Sequence, residues 1–408
     1  MSGFRRAVAF LQEGSLYVLL FLLPFSKAAV EVFFGVLFLA WLVARLDPRT
    51  RRQTLWVQSA FRPLRLAIAI YLAACALSIL VSHDPWLSLN GFVGKWLEYL
   101  LFTVVVTDVA SRPRVVARSL RVLVYAALLV FFEAITQERY GQGFFRFHRL
   151  DFFGRMTGPY ENPIDLATYL MVIIPLLLTY TLVHRKGTRR FLWILVLTLM
   201  VCLGRTEAIG AWFGLGVSIV VIGSRSPILQ RTALLVCAGV LLIGGIFLLR
   251  VGHFHRTYSM ADIGKRDRLV MWQAAMGMIR DRPILGHGVN TFMANYLRYW
   301  VGGERQPRYA HNCYLQVAAE TGLVGLVSFV ALLWLFFRRL FAVMRHAMSK
   351  DGLLLAGFGA GLLAFAVQSA VDTNFYSLRQ AALFWIVAGL ALGLSGRASP
   401  ARSHSRLT

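Results

Sequence analysis

The chain reads as an all-α protein that crosses a membrane many times, and three observations predict it. Apolar stretches of about 20 residues recur from end to end, each long enough to span a bilayer. Of the 408 residues, 58% are hydrophobic and only 15% are charged. Stretches such as RTALLVCAGVLLIGGIFLLR (231–250) are continuously apolar rather than alternating, so the backbone must satisfy its own hydrogen bonds as helix and not as barrel strand.

About twelve spans follow, near 15–26, 28–45, 63–81, 94–110, 115–136, 162–183, 191–204, 207–223, 231–250, 314–337, 352–371 and 376–396. The first two are tightly joined around Pro24 and are open to an alternative reading as one broken element. The basic start MSGFRRAVAF resembles the flank of a signal peptide, but no small-residue cleavage pattern follows, which predicts a retained first helix. The organisation expected is a transmembrane bundle over 1–250 (about nine helices) with an outer loop near 137–161. A large outer loop over 251–313, three C-terminal spans over 314–397 and a cytoplasmic tail at 398–408 complete it.

The formal net charge of +24 comes from 43 Lys and Arg against 19 acids. In a soluble chain that balance would suggest nucleic acid; here the membrane accounts for much of it, and no nucleic-acid partner is expected. With the N-terminus inside, every inner segment is basic, together holding 25 of the 43 basic residues, as the positive-inside rule requires. Both termini are then cytoplasmic. The other 18 lie outside or at outer helix ends, where topology does not demand them. The 251–313 segment alone carries nine basic residues against four acids. Guanidinium groups at a bilayer surface suit bidentate capture of phosphate, so an anionic substrate is expected. Cys75, Cys202, Cys237 and Cys313 lie in or beside apolar runs without metal-ligand spacing and read as buried, inert thiols.

Candidate site residues concentrate at the outer boundary. In VCLGRTEAIGAWFG (201–214), Arg205 occupies a very short turn between two spans, where an ionised side chain is costly and usually functional; the alternative is a snorkelling arginine paired with Glu207. Arg268 and Trp272 are four residues apart on one helix face, with Arg266 nearby, so two arginines could share one pyrophosphate; a solvated charge run would look the same. PILGHGVNTF (283–292) sets two glycines around His287, a tight turn but a weak phosphate cradle because no strand precedes it. Arg155 and Tyr160–Pro163 lie at the outer mouth of the sixth span, where Arg155 could bind anion or pack the loop. RYAHNCYLQVAAETGLVG (308–325) places Arg308, His311 and Asn312 just before the tenth span, with Gln316 and Glu320 continuing the stripe of Asn312 into it. Helix geometry turns Glu320 about 180° away from His311, so Glu320 reads as an anchor of the bundle and not as a relay partner. For His311 itself the alternative is an ordinary surface histidine.

No Walker loop and no outward Asp-x-Asp pair is present, so no cofactor or metal is expected, and a reaction outside the cytoplasm needs a donor activated in advance. Arginines would then neutralise the leaving group, which points to a lipid-linked pyrophosphoryl donor.

RDRLVMWQAAMGMIRDRPILGHGVNTF followed by HNCYLQVAAETGLVGLVSF resembles the O-antigen ligase and polymerase superfamily of bacterial inner membranes, well over about 200–330 and loosely at Arg155–Leu170. The resemblance implies a fold similar to type C glycosyltransferases. It also implies transfer of a glycan from undecaprenyl pyrophosphate to an acceptor sugar of lipid A-core oligosaccharide at the periplasmic face, with membrane lipids as surroundings. It carries pyrophosphate-binding arginines onto Arg205 and Arg268, with Arg266 assisting, and the essential histidine onto His311; Arg155, Asn312, Tyr314 and Arg308 are possible substrate contacts, with Gln316 and Glu320 structural. Gly204-Arg205-Thr206 and Ile164 depart from the usual pattern. The nearest alternative is a polymerase using the same donor; a lipid transporter is a different class, which would distribute polar groups through the midplane.

Overall fold

The structure is a computed structural model that describes residues 3–48, 50, 54–224, 231, 254–302, 306, 308–346 and 349–398, without the side chains of 254–267, 345–346 and 398. Its elements among these residues are helices: α1 (Gly3–Leu22), α2 (Lys27–Arg45), α3 (Arg62–Leu80), α4 (Pro85–Gly91), a π-helical turn (Phe92–Leu97), α5 (Glu98–Ala110), α6 (Val115–Tyr140), α7 (Pro163–Leu182), α8 (Lys186–Arg205), α9 (Ile209–Gly223), α10 (Phe254–Asp281), α11 (Phe292–Tyr296), α12 (Cys313–His346), α13 (Lys350–Gln368) and α14 (Leu378–Ala398). Eight of them are long and apolar enough to cross a membrane, where the sequence predicts about twelve spans. The difference falls at α1, whose first half carries Arg5, Arg6, Gln12 and Glu13, at the split α4–α5 segment, at the short α9, and at 231–250, of which 232–250 lie outside the described residues.

The α1–α2 segment resolves into two helices. Ser26 caps α2 by accepting from Ala29 N at 3.2 Å, and buried Gln12 donates to Ala40 O at 2.9 Å, tying the pair together as an antiparallel hairpin. The stretch around 82–91 is helical rather than a plain loop: Asp84 accepts from Leu87 N at 2.8 Å and Pro85 takes the first helical position, where its missing N–H costs nothing.

Two helices form the interior. α7 and α14 have 89% and 94% of their apolar windows buried by the rest of the chain, whereas α2 has 22%. Small residues let the backbones approach: a Cβ on Gly389 or Gly393 of α14 would come within 2.7 Å and 2.6 Å of Val106 and Ala110 of α5. Thr103 adds a hydrogen bond from its hydroxyl to Trp385 O at 2.8 Å.

One end of the bundle gathers the turns 23–26, 81–84, 141–162, 206–208, 282–302, 308–312 and 369–377. Met156 N donates to Arg205 O (2.9 Å), Arg282 to Val81 O (2.6 Å), Cys313 N to Ser369 O (2.8 Å), and buried Arg379 to both Pro24 O (3.0 Å) and Pro159 O (3.2 Å). At the opposite end Arg45 pairs with Asp108, Arg5 with Asp47 and Arg118 with Glu13.

Candidate functional site

Asn312 starts α12 as its cap, its side-chain oxygen accepting from Tyr314 N and Leu315 N, both at 3.0 Å. His311 immediately precedes it with φ of 47°, a left-handed conformation uncommon for a residue with a side chain. Two residues on, Cys313 N donates to Ser369 O at 2.8 Å and Asp372 O at 3.1 Å, fastening this part of the chain to the α13–α14 turn. That turn brings the Asp372 carboxylate 3.4 Å from His311 Nδ1. Asp372 is itself oriented by Thr373 N at 2.8 Å. The His311 side chain is 34% exposed and that of Asp372 14%. A histidine held by a carboxylate at Nδ1 keeps Nε2 available to take a proton from an incoming hydroxyl.

Directly beneath, Glu320 is 1% exposed and accepts from Asn290 N (2.7 Å), Phe292 N (3.2 Å), Gln316 Nε2 (3.1 Å) and Tyr376 Oη (2.9 Å). It joins two segments to α12, residues 290–292 and the turn that carries Tyr376. Gln316 completes the strut by accepting from Ala310 N at 3.2 Å. The glycine turn at 283–288 packs backbone to backbone on α12: His287 N donates to Ala319 O (3.1 Å), Gly288 N to Glu320 O (2.8 Å) and Leu323 N to Pro283 O (2.8 Å). Such close approach needs Gly322, at φ 68°, where any Cβ would overlap the Ile284 carbonyl. The amides of His287 and Gly288 are thus taken by α12 and that of Gly286 by Arg282 O, which leaves none of the three to cradle a phosphate. Burial pushes the His287 imidazole below its usual pKa; its Nε2 hydrogen-bonds Met278 O at 3.1 Å.

Lys95 projects from the π-helical turn, a rare geometry often found at functional sites, onto Asn290 Oδ1 at 2.6 Å and between the rings of Tyr309 and Tyr376. It is the cation nearest this strut that the sequence does not single out.

Two of the candidate arginines take carboxylate partners. Arg205 grips Glu138 of α6 with Nη2 at 2.7 Å and Nε at 3.3 Å, a forked pair, in place of the Glu207 partner weighed from sequence. Arg155 pairs with Asp151 at 2.7 Å and lies over Phe153, which gives it a loop-packing contact. Arg268 is half-buried on α10, whose Met271, Ala274, Ala275 and Met278 pack on Phe292, Tyr296 and Ala319. The side chain of Arg266 lies outside the described residues; Arg308 is half-buried beside Tyr309. The Tyr314 hydroxyl donates to Ala366 O at 2.6 Å, a bond between helices. The α8–α9 turn adjoins the Asp372 turn, since a Cβ on Gly210 would sit 3.1 Å from Val371.

Sequence reading missed Asp372, Glu138 and Lys95. Asp372 and Lys95 carry a signal in retrospect: each is an isolated charge at an outer helix boundary, in VDTNFYS and FVGKWL.

The fold and site define a multi-pass, helical membrane protein with a His–Asp pair and arginine–carboxylate pairs at one end of its bundle. Residues 190–330 match the family model described as O-antigen ligase. A Rickettsia felis protein named "Putative polysaccharide ligase" is 24% identical over 290 residues, spanning 66% of this chain and 67% of that protein. A chain in a solved structure reported for coordination of polymerization and crosslinking by a peptidoglycan synthase complex is 17% identical, with a TM-score of 0.42, over 81% of this chain and 95% of that one.

Proposed function

We propose that the protein is an O-antigen ligase: a glycosyltransferase that moves O-antigen glycan from undecaprenyl pyrophosphate to a sugar hydroxyl of lipid A-core oligosaccharide, completing lipopolysaccharide. The observation that carries this reading is the His311–Asp372 pair lying within the bundle end that the matched residues 190–330 help to build. The end bearing His311 faces the periplasm, the membrane is the bacterial inner membrane, and both termini are cytoplasmic.

His311, steadied through Nδ1 by Asp372, takes the proton of the acceptor hydroxyl at Nε2 as that oxygen attacks the anomeric carbon. The pyrophosphate leaves from the opposite face, so one in-line displacement inverts the anomeric configuration. Arg205, Arg268 and Arg266 neutralise the departing pyrophosphate without a metal ion. For Arg205 this means exchanging the Glu138 carboxylate for phosphate, a swap of one planar, bidentate partner for another. Arg308 serves as an acceptor contact, and Gln316 and Glu320 hold the frame. Residues 251–313 act as the periplasmic segment that brings these groups together.

The test is in vitro ligation with purified donor and acceptor in excess chelator. Activity persists, and His311→Ala loses about 10²–10⁴ of the rate while still binding donor, the usual worth of a general base. Near wild-type turnover in His311→Ala, or activity stopped by EDTA and restored by Mg²⁺, overturns the mechanism. Extension of a lipid-linked chain in place of modification of lipid A-core would make the enzyme a polymerase.

A further inference from the structure

Apart from the His311–Asp372 pair, two arginines from different elements converge on a single acceptor. Arg282, just past α10, reaches His83 Nε2 with Nη2 at 2.9 Å, and Arg298, in the short turn after α11, approaches the same atom with Nη1 at 3.5 Å. A guanidinium has no lone pair to offer, so Nε2 must be the acceptor for both. Arg282 is aimed by its second bond, to Val81 O at 2.6 Å, and Arg298 by the Tyr299 ring beneath it.

Neither arginine forms an ion pair with a carboxylate among the described residues. The acid whose field includes both, Asp281, is held by the Tyr299 hydroxyl, a bond that lowers its pKa, and faces His287 at 3.9 Å. Two cations therefore share one neutral-type acceptor at an exposed position. That arrangement leaves an anionic oxygen as the better partner for both, since charge-assisted bonds are roughly twice as strong as neutral ones.

The flanks are apolar. Leu80 is 80% exposed, Trp86 71% and Ile284 67%, at the end of α3, the start of α4 and three residues past α10. Exposed tryptophan beside such ends marks the membrane–water boundary. An arginine pair at headgroup level with apolar surface beside it fits an amphiphile that carries its negative charge at the interface.

We propose that Arg282 and Arg298, poised on His83, form a docking site for a phosphoryl group of a lipid in the outer leaflet, whose apolar part lies along Leu80, Trp86 and Ile284. The placement of this end at the outer leaflet rests on the functional reading above; the binding chemistry does not. The site is separate from His311 and holds a substrate phosphate that does not react.

The experiment measures retention of diphosphoryl lipid A by the full-length protein in detergent micelles, with dephosphorylated lipid A and inorganic phosphate as further probes. Arg282→Gln combined with Arg298→Gln is expected to weaken binding of the diphosphoryl lipid at least tenfold and to leave the already weak binding of the dephosphorylated lipid unchanged. Arg298→Gln alone, which leaves the Val81 contact of Arg282 intact, gives a smaller loss in the same direction. His83→Ala removes the competing acceptor and tightens binding, an effect that a purely structural role would not produce. Unchanged retention in the double variant overturns the site. Displacement of the lipid by equimolar inorganic phosphate would overturn the assignment to an amphiphile. Because no ligation is read, the proposed function can fail with this site standing: normal binding in His311→Ala supports the site, and joint loss in that variant argues against its separateness.

Discussion

Glu320 is the strut on which the site rests, and its removal should be measurable as stability before it is measurable as activity. Four donors converge on one buried carboxylate: the backbone N–H groups of Asn290 and Phe292, the Tyr376 hydroxyl and the Gln316 amide. The hydroxyl and the amide can rotate toward other acceptors; the two backbone donors cannot. A buried donor left without a partner costs about 1–3 kcal/mol. Each carboxylate oxygen serves one backbone N–H, Oε2 that of Asn290 and Oε1 that of Phe292. In Glu320→Gln one of those oxygens becomes NH₂, so one backbone donor is orphaned and the expected cost is about 1–3 kcal/mol. In Glu320→Ala both are orphaned, for roughly 2–6 kcal/mol, before the cavity is counted. Reversible unfolding by SDS in mixed micelles reads these values directly, and the ordering Ala worse than Gln is part of the prediction. An Ala variant within about 0.5 kcal/mol of wild type, a typical surface substitution, would refute the argument that this carboxylate anchors the turn.

Asp372→Asn should lower kcat within the ~10²–10⁴ span of a general base while leaving acceptor KM nearly unchanged; an unchanged kcat removes Asp372 from the mechanism. Glu138→Gln takes the competing carboxylate from the Arg205 fork and should tighten donor binding by up to about fivefold, the scale of an exposed ion pair, whereas Arg205→Ala loses activity and Lys restores little of it; equal donor affinity in both variants would count against pyrophosphate binding. Because burial depresses the His287 pKa, its contribution to stability is complete above the unfolded-state pKa of about 6.5 and is lost as pH falls below it, when the unfolded chain takes up the proton that the folded one refuses. Melting curves from pH 8 to 5.5 should show that acid limb, and His287→Gln should flatten it. A cysteine at exposed Ala294 should label with an impermeant thiol reagent in spheroplasts and one at exposed Ser349 should not; the reverse would invert the orientation.

The helical, membrane-spanning nature of the chain was legible because burial in lipid writes itself as runs of apolar residues, a local signal. The stripe of Asn312, Gln316 and Glu320 was legible as well, since i, i+4 and i+8 positions are fixed by helix geometry, whereas the capping role of Asn312 was not read. What stayed hidden was pairing at a distance. His311 meets Asp372 across 61 positions and Arg205 meets Glu138 across 67, and no spacing rule connects them. The π-helical turn that swings Lys95 toward Asn290 was invisible as well, because a shift of hydrogen-bond register leaves apolar composition unchanged.

The placement of α14 bears on how the protein is made. It follows every other described helix in the chain and is also the most thoroughly enclosed, with Gly389 and Gly393 laid against α5 and Arg379 at its head bonded to Pro24 and Pro159, residues that precede it by hundreds of positions. During biosynthesis the earlier helices must therefore wait in the bilayer with a helix-sized slot between them, occupied by lipid tails. Pro24, Pro159 and the turn that carries Asp372 take their final positions only when the late arrival displaces those lipids. A ribosome stalled before residue 378 would leave a chain that is membrane-inserted and largely helical, with no buried guanidinium to draw the first hairpin and the loop after α6 together, and so an obvious substrate for membrane quality control.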